Sequence, residues 1–109
     1  MSYSIELTEE AISDIEKHIK SGNKKVILKI DKLLSELREH PMKGTGKPER
    51  LKHYEIATWS RRITDKHRLI YRIQDKKVIV IVLSFWGHYN DASWKAVKYD
   101  IVRIFSLFL

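Results

Sequence analysis

The chain has 109 residues, 43 % of them hydrophobic, with 21 Lys+Arg against 14 Asp+Glu, a formal charge of +7 and no cysteine. That length fits one domain with its own core, and the missing cysteines exclude a disulfide scaffold, a thiolate metal site and a cysteine nucleophile. The opening MSYSIELTEE has neither a basic n-region nor an apolar h-region, and the longest uncharged apolar run, Val78 to Gly87, is about half a membrane helix. The expectation is a cytoplasmic protein, apart from membranes, with an anionic partner such as nucleic acid.

Ser4 to Leu7 alternates and reads as a short edge strand. Thr8 is a good helix N-cap, and Glu9 and Glu10 complement the helix dipole in the first turn. Ala11, Ile12, Ile15 and Ile19 then recur at helical spacing, and Gly22 ends the helix. Asn23 caps a second helix in which Val26, Ile27, Ile30, Leu33, Leu34 and Leu37 form one apolar stripe. It must stop before Pro41, because the residue preceding a proline avoids the helical region. Pro41 to Pro48 is an exposed Gly/Pro/Lys loop, without the strand and spacing of a Walker A phosphate loop. Strands are expected at Thr58–Ile63, Arg68–Ile73 and Val78–Trp86, the last buried on both faces, with a turn at Asp75-Lys76-Lys77. The fold class is therefore α+β: an N-terminal αα-hairpin packed on an antiparallel β-meander. In residues 92–109, Trp94, Val97, Ile101, Ile104, Phe105 and Phe108 fit a helical stripe, although Val97, Tyr99 and Ile101 also alternate; a helix is the preferred reading.

The positive charge is concentrated. Residues 41–72 carry nine Lys/Arg against three Asp/Glu, a net of +6, whereas residues 1–40 are close to neutral. The same stretch and its sequel hold E-R-L-K-H at Glu49–His53, W-S-R-R at Trp59–Arg62, His67-Arg68 and Gly87-His88-Tyr89. Cleaving RNA without a metal needs a base for the 2′-hydroxyl, cations for the phosphorane and an acid for the leaving 5′-oxygen. A carboxylate, several Arg/Lys and a His are those chemical types. Each residue also has a plain explanation: Glu49 pairing with Arg50 or Lys52, His67 solvated at a turn, His88 an ordinary strand-end histidine. Arg61 and Arg62 are adjacent on a strand, so their side chains point to opposite faces. The five histidines are scattered and no paired-acid motif occurs, so no metal site is read.

The run Gly44-Thr45-Gly46-Lys47-Pro48-Glu49-Arg50-Leu51-Lys52-His53 resembles the G-x-G-K-P-E-x-L-K-H signature of the YoeB/Txe toxins, within the RelE-like superfamily of toxin–antitoxin mRNA interferases. Trp59 to Tyr71 resembles their W-S-R-R-I-x-x-x-H-R-L-V-Y block, and Gly87-His88-Tyr89 their G-H-Y ending. The resemblance implies a RelE/YoeB-like fold and a bacterial type II toxin, an endoribonuclease that cuts mRNA in the ribosomal A site and so inhibits translation. It implies Glu49 as general base, His88 as general acid and Arg68 as the transition-state arginine. Lys52, Arg62 and Tyr89 are implied at the substrate, with Lys47 and Arg61 beside them. It implies no metal or cofactor. The partners it implies are an acidic YefM-like antitoxin and a second copy in a homodimer. The family's His-Tyr pair lies near the C-terminus, whereas twenty residues follow Tyr89 here. The expected organisation is a toxin domain over 1–91 and an extension of unassigned role over 92–109. Two rivals are a non-catalytic basic RNA- or ribosome-binding module of the same fold, and a ParE-like gyrase inhibitor. A pure phosphate-binding surface has no use for a carboxylate at Glu49 beside Lys52, and the gyrase-inhibitor branch would not need the Glu/Arg/His set.

Overall fold

The computed structural model describes residues 2–52, 56–83 and 96–98. Strand β1 (Ser4–Thr8) leads into helix α1 (Glu9–Ser21), and helix α2 (Lys24–Glu39) follows. The Thr8 hydroxyl accepts from the Ala11 amide at 3.0 Å, and it also donates to the Ile81 carbonyl at 2.6 Å. One side chain thus caps a helix and ties it to a strand 73 residues away. Gly22 ends α1 in the left-handed region at φ 75°, where its amide reaches the Ile19 carbonyl. Asn23 Oδ1 caps α2 by accepting from Val26 at 3.3 Å. The αα-hairpin and its cap residues are as the sequence predicts.

Five further strands follow: β2 (Glu49–Arg50), β3 (Thr58–Arg62), β4 (Arg68–Gln74), β5 (Lys77–Val82) and β6 (Ala96–Lys98). They join β1 in one sheet of order β2-β3-β4-β5-β1-β6. From β2 to β5 the pairing is antiparallel, giving the expected meander, with Asp75 and Lys76 turning between β4 and β5. Asp75 takes a left-handed φ of 53°, which Asp tolerates better than most residues. In β5, Val78 to Ile81 are all buried, as a central strand requires.

Two expectations are corrected. β1 is not an edge strand: it pairs in parallel with β5 on one side and antiparallel with β6 on the other. Ala96–Lys98 is strand rather than helix, with Val97 opposite Leu7. The alternation around Val97 wins there because the open side of β1 offers unpaired backbone donors and acceptors that a helix cannot use. The rest of the 92–109 stretch lies outside the described residues.

The core lies between the two helices and one face of the sheet. Leu33, Leu34 and Leu37 of α2 and Ile15 of α1 pack there against Leu7, Leu69, Tyr71, Val78 and Val80. The sheet's other face holds a smaller apolar cluster of Ile70 and Ile81, with Leu51 packed against it.

Candidate active site

The face of a strand residue follows from its parity. In β4, Leu69 and Tyr71 enter the helix-side core, so Arg68, Ile70 and Arg72 belong to the opposite face. The ladder pairs Arg62 with Arg68, Ser60 with Ile70 and Thr58 with Arg72. It also pairs Glu49 with Ser60. Directly paired residues share a face, so Glu49, Arg62 and Arg68 stand together on the side away from the helices, with Glu49 diagonal to Arg62.

This is an expensive arrangement unless something negative sits on it. Directly opposed residues have Cβ atoms about 5 Å apart, and like charges there repel. Among the described residues, no carboxylate forms an ion pair with Arg62 or Arg68. Arg62 is exposed. Arg68 is half-buried, and its Nη1 donates to the carbonyls of Thr64 at 2.8 Å and His67 at 3.5 Å. Those bonds fix the guanidinium against the turn between β3 and β4.

The approach to Glu49 is equally specific. The Arg62 amide donates to the Gly46 carbonyl at 2.7 Å, which lays the 41–48 loop against the end of β3. Gly46 has φ 83°, and a Cβ there would stand 2.8 Å from the Arg62 carbonyl oxygen, so this close approach requires glycine. Lys47 follows at φ 50°, exposed, and Glu49 and Arg50 then form the two-residue strand β2. The Leu51 amide donates to the Thr58 carbonyl at 2.8 Å, leaving Lys52 exposed just beyond it. Lys47, Glu49, Lys52, Arg62 and Arg68 are therefore carried by β2 to β4, the three strands at one side of the sheet, and the segments flanking β2.

Arg61 departs from the sequence reading, which set it at the substrate. Its side chain is 0 % exposed, and its donors go to protein acceptors. Nε donates to the Tyr71 hydroxyl at 3.3 Å. Nη1 donates to Glu36 Oε1 at 3.2 Å and the Thr45 carbonyl at 3.4 Å. Nη2 donates to the carbonyls of His40 and Lys43. Parity put one arginine of the pair inside, and it is Arg61 because α2 presents Glu36 on that side. Burial pushes the Glu36 carboxyl up, but its hydrogen bonds from Thr45 and the charges of Arg61 and Lys32 outweigh it, so it sits below the ordinary carboxylate range.

A third set of contacts fixes the end of β5. Asp14 Oδ2 accepts from the Leu83 amide at 2.9 Å, and His18 Nε2 lies 2.7 Å from the Leu83 carbonyl. A carbonyl only accepts, so His18 carries its proton on Nε2. The two residues are one turn apart on α1 and grip both backbone polar groups of Leu83. His67, read from sequence as a turn residue, packs edge-on to the His18 ring at 4.7 Å. Burial, then the charges of His18 and Lys66, hold the His67 imidazole below its usual value, against Asp14. The segment bearing His88 and Tyr89 follows Leu83 in the chain; both residues, with His53, lie outside the described residues.

Sequence reasoning passed over Arg72, Glu36 and Tyr71. Arg72 is buried on the same face as Arg62 and Arg68, and its Nε donates to Thr58 Oγ1 at 3.1 Å. The period-2 pattern of R-L-I-Y-R, with Arg68 and Arg72 four apart, carries that signal. Glu36 and Tyr71 matter through contacts 25 and 10 residues from Arg61, which no local pattern reveals.

Comparison with known proteins identifies the family and the fold. A family model described as a YoeB-like toxin of bacterial type II toxin–antitoxin systems matches residues 7–89. The toxin YoeB of Escherichia coli K12 is 40 % identical over 67 residues, which is 62 % of this chain and 77 % of that protein. The YoeB dimer of Staphylococcus aureus superposes with a TM-score of 0.66 at 32 % identity, covering 82 % of this chain and 100 % of the other. The YoeB–YefM complex from S. aureus gives a TM-score of 0.65 at 33 % identity, with 82 % of this chain and 100 % of that one covered.

Proposed function

The chain belongs to the YoeB-like toxins of bacterial type II toxin–antitoxin systems, and from that premise we propose that it is an endoribonuclease cutting mRNA in the ribosomal A site. The observation that carries the reading is the directly opposed pair Arg62 and Arg68 with Glu49 diagonal to it on one sheet face. A phosphate between the two guanidiniums relieves their repulsion, and a carboxylate beside it stands where a base is needed.

In the proposed reaction the Glu49 carboxylate takes the proton of the ribose 2′-hydroxyl as that oxygen attacks the adjacent phosphorus. Arg68 and Arg62 offset the added charge of the phosphorane. The phosphorus–5′-oxygen bond then breaks while His88 gives the leaving oxygen a proton. The products are a 2′,3′-cyclic phosphate and a 5′-hydroxyl, with protons balanced between base and acid. No metal takes part in this scheme. Lys47 and Lys52 hold flanking phosphates, and Tyr89 contacts the nucleotide at the cut. Arg61, by contrast, supports the site from behind.

The neutralising partner in this reading is an acidic YefM-like antitoxin that covers the +6 stretch, as charge complementarity favours; the solved YoeB–YefM complex supports it. The YoeB dimer likewise supports self-association, and the proposed place of action is the bacterial cytoplasm. The test is to incubate the protein with mRNA-programmed ribosomes and characterise the new RNA ends. A 2′,3′-cyclic phosphate upstream and a 5′-hydroxyl downstream are expected. RNA that is bound but never cut, with binding that weakens steeply in salt, identifies the rival non-catalytic module instead.

A further inference from the structure

The loop from His40 to Gly46 makes few backbone hydrogen bonds of its own. Its polar groups converge instead on the fully buried Arg61 and its half-buried partner Glu36. Arg61 supplies donors to the carbonyls of His40, Lys43 and Thr45. Glu36 Oε1 accepts from the Thr45 amide at 2.7 Å. Tyr71, which takes the Arg61 Nε–H, donates to the Pro41 carbonyl at 2.5 Å. A guanidinium has five N–H groups in a fixed planar fork, and five acceptors surround this one.

The loop is also shaped to that pair sterically. Gly44 has φ 127°, and a Cβ on it would stand 2.3 Å from Glu36 Oε1 and 3.1 Å from Arg61 Nη1. Two residues later Gly46 is bonded to the Arg62 amide, and three residues beyond that is Glu49. The path of the chain into β2 is therefore set by a charged pair lying behind the sheet face that Glu49 occupies.

We propose that Arg61, with Glu36, is a positioning residue for Glu49: it shapes the 40–46 loop that delivers Lys47 and Glu49 to the β3 edge beside Arg62 and Arg68. This deepens the nuclease reading and rests on it for the catalytic consequence. The recognition is geometric rather than electrostatic alone, since a lysine keeps the charge but offers three donors from one point. Misplacing a catalytic group by about 1 Å costs on the order of a hundredfold in rate.

Two variants test it, Arg61→Lys and Gly44→Ala, the second altering an exposed loop position that leaves the main core intact. Amide hydrogen exchange on the free protein reads the loop, and single-turnover cleavage on programmed ribosomes reads the site. Both variants are expected to lose protection at Thr45 and Arg62 while Tyr71 and Val80 keep theirs. The saturating cleavage rate falls about tenfold to a hundredfold, with the half-saturating ribosome concentration moved less than about threefold. A fall in thermal stability with the saturating rate unchanged makes Arg61 merely structural and overturns the proposal. Retained protection at Thr45 and Arg62 overturns it as well. If the unmodified protein cuts no RNA, the nuclease reading fails and the catalytic half of the inference falls with it. The exchange data still decide whether Arg61 holds the loop.

Discussion

Adjacent arginines on opposite faces of β3 make a sharp stability prediction. Replacing Arg61 with methionine keeps most of the aliphatic stem but removes the ion pair to Glu36 and the donors to three loop carbonyls and the Tyr71 hydroxyl. Breaking a buried pair by removing one partner costs about 3–5 kcal/mol. The Glu36 side chain is 23 % exposed and Lys43 and Gly44 lie at the surface, so water can serve some of the abandoned acceptors. The expected loss is therefore at the low end, about 3 kcal/mol. Arg62→Met removes an exposed side chain and should change stability by less than about 0.5 kcal/mol. RNA binding should show the reverse order. Losing one phosphate contact at Arg62 lowers the slope of log affinity against log salt by about 0.7 for single-stranded RNA. Urea unfolding followed by circular dichroism reads the first effect, and fluorescence anisotropy of a labelled oligonucleotide at several salt concentrations reads the second. A loss under about 1 kcal/mol for Arg61→Met, or equal losses for the two variants, refutes the assignment of one arginine to the interior and one to the substrate face.

Other consequences follow from the same contacts. Thr8→Val removes both the cap on α1 and the donor to the buried Ile81 carbonyl, so urea unfolding should show a loss of about 2–3 kcal/mol. Because His67 titrates below the unfolded value of about 6.5, its contribution to stability is complete above that pH and is lost as pH falls from there through the lowered folded-state value. The urea midpoint should therefore drop as pH falls below about 6.5, and His67→Gln should flatten that drop. Glu36 behaves as a depressed carboxyl: its contribution is present above about pH 4.5 and lost on further acidification through the folded-state value. Glu36→Gln should make the acid limb of stability shallower than in the unmodified protein.

The sequence was most legible where structure is local. The α2 stripe, the Thr8, Gly22 and Asn23 caps and the buried β5 run all depend on neighbours within a turn or two, and their apolar spacing leaves little choice. Where a strand lies in a sheet is a different kind of fact. β1 joins β5 through pairs such as Ser4 with Lys77, and nothing in Ser4–Leu7 encodes that partner. For β6, helical and alternating patterns coexist around Val97, and a neighbouring strand edge decides between them. The site shows the same division. Strand parity requires Arg61 and Arg62 to part, but only the contact with Glu36, 25 residues earlier, decides which goes inside. The diagonal relation of Glu49 to Arg62 likewise needed the β2–β3 register, because the two residues belong to separate motifs in the chain.

The central claim is that Glu49 acts as a base beside a phosphate held by Arg62 and Arg68. Its most direct test is Glu49→Gln, which keeps the shape of an exposed side chain and removes only its charge and basicity. In single-turnover reactions on programmed ribosomes the cleavage rate should fall about a hundredfold to ten-thousandfold, with ribosome binding and the urea midpoint unchanged. Cleavage by Glu49→Gln at the rate of the unmodified protein would contradict the account.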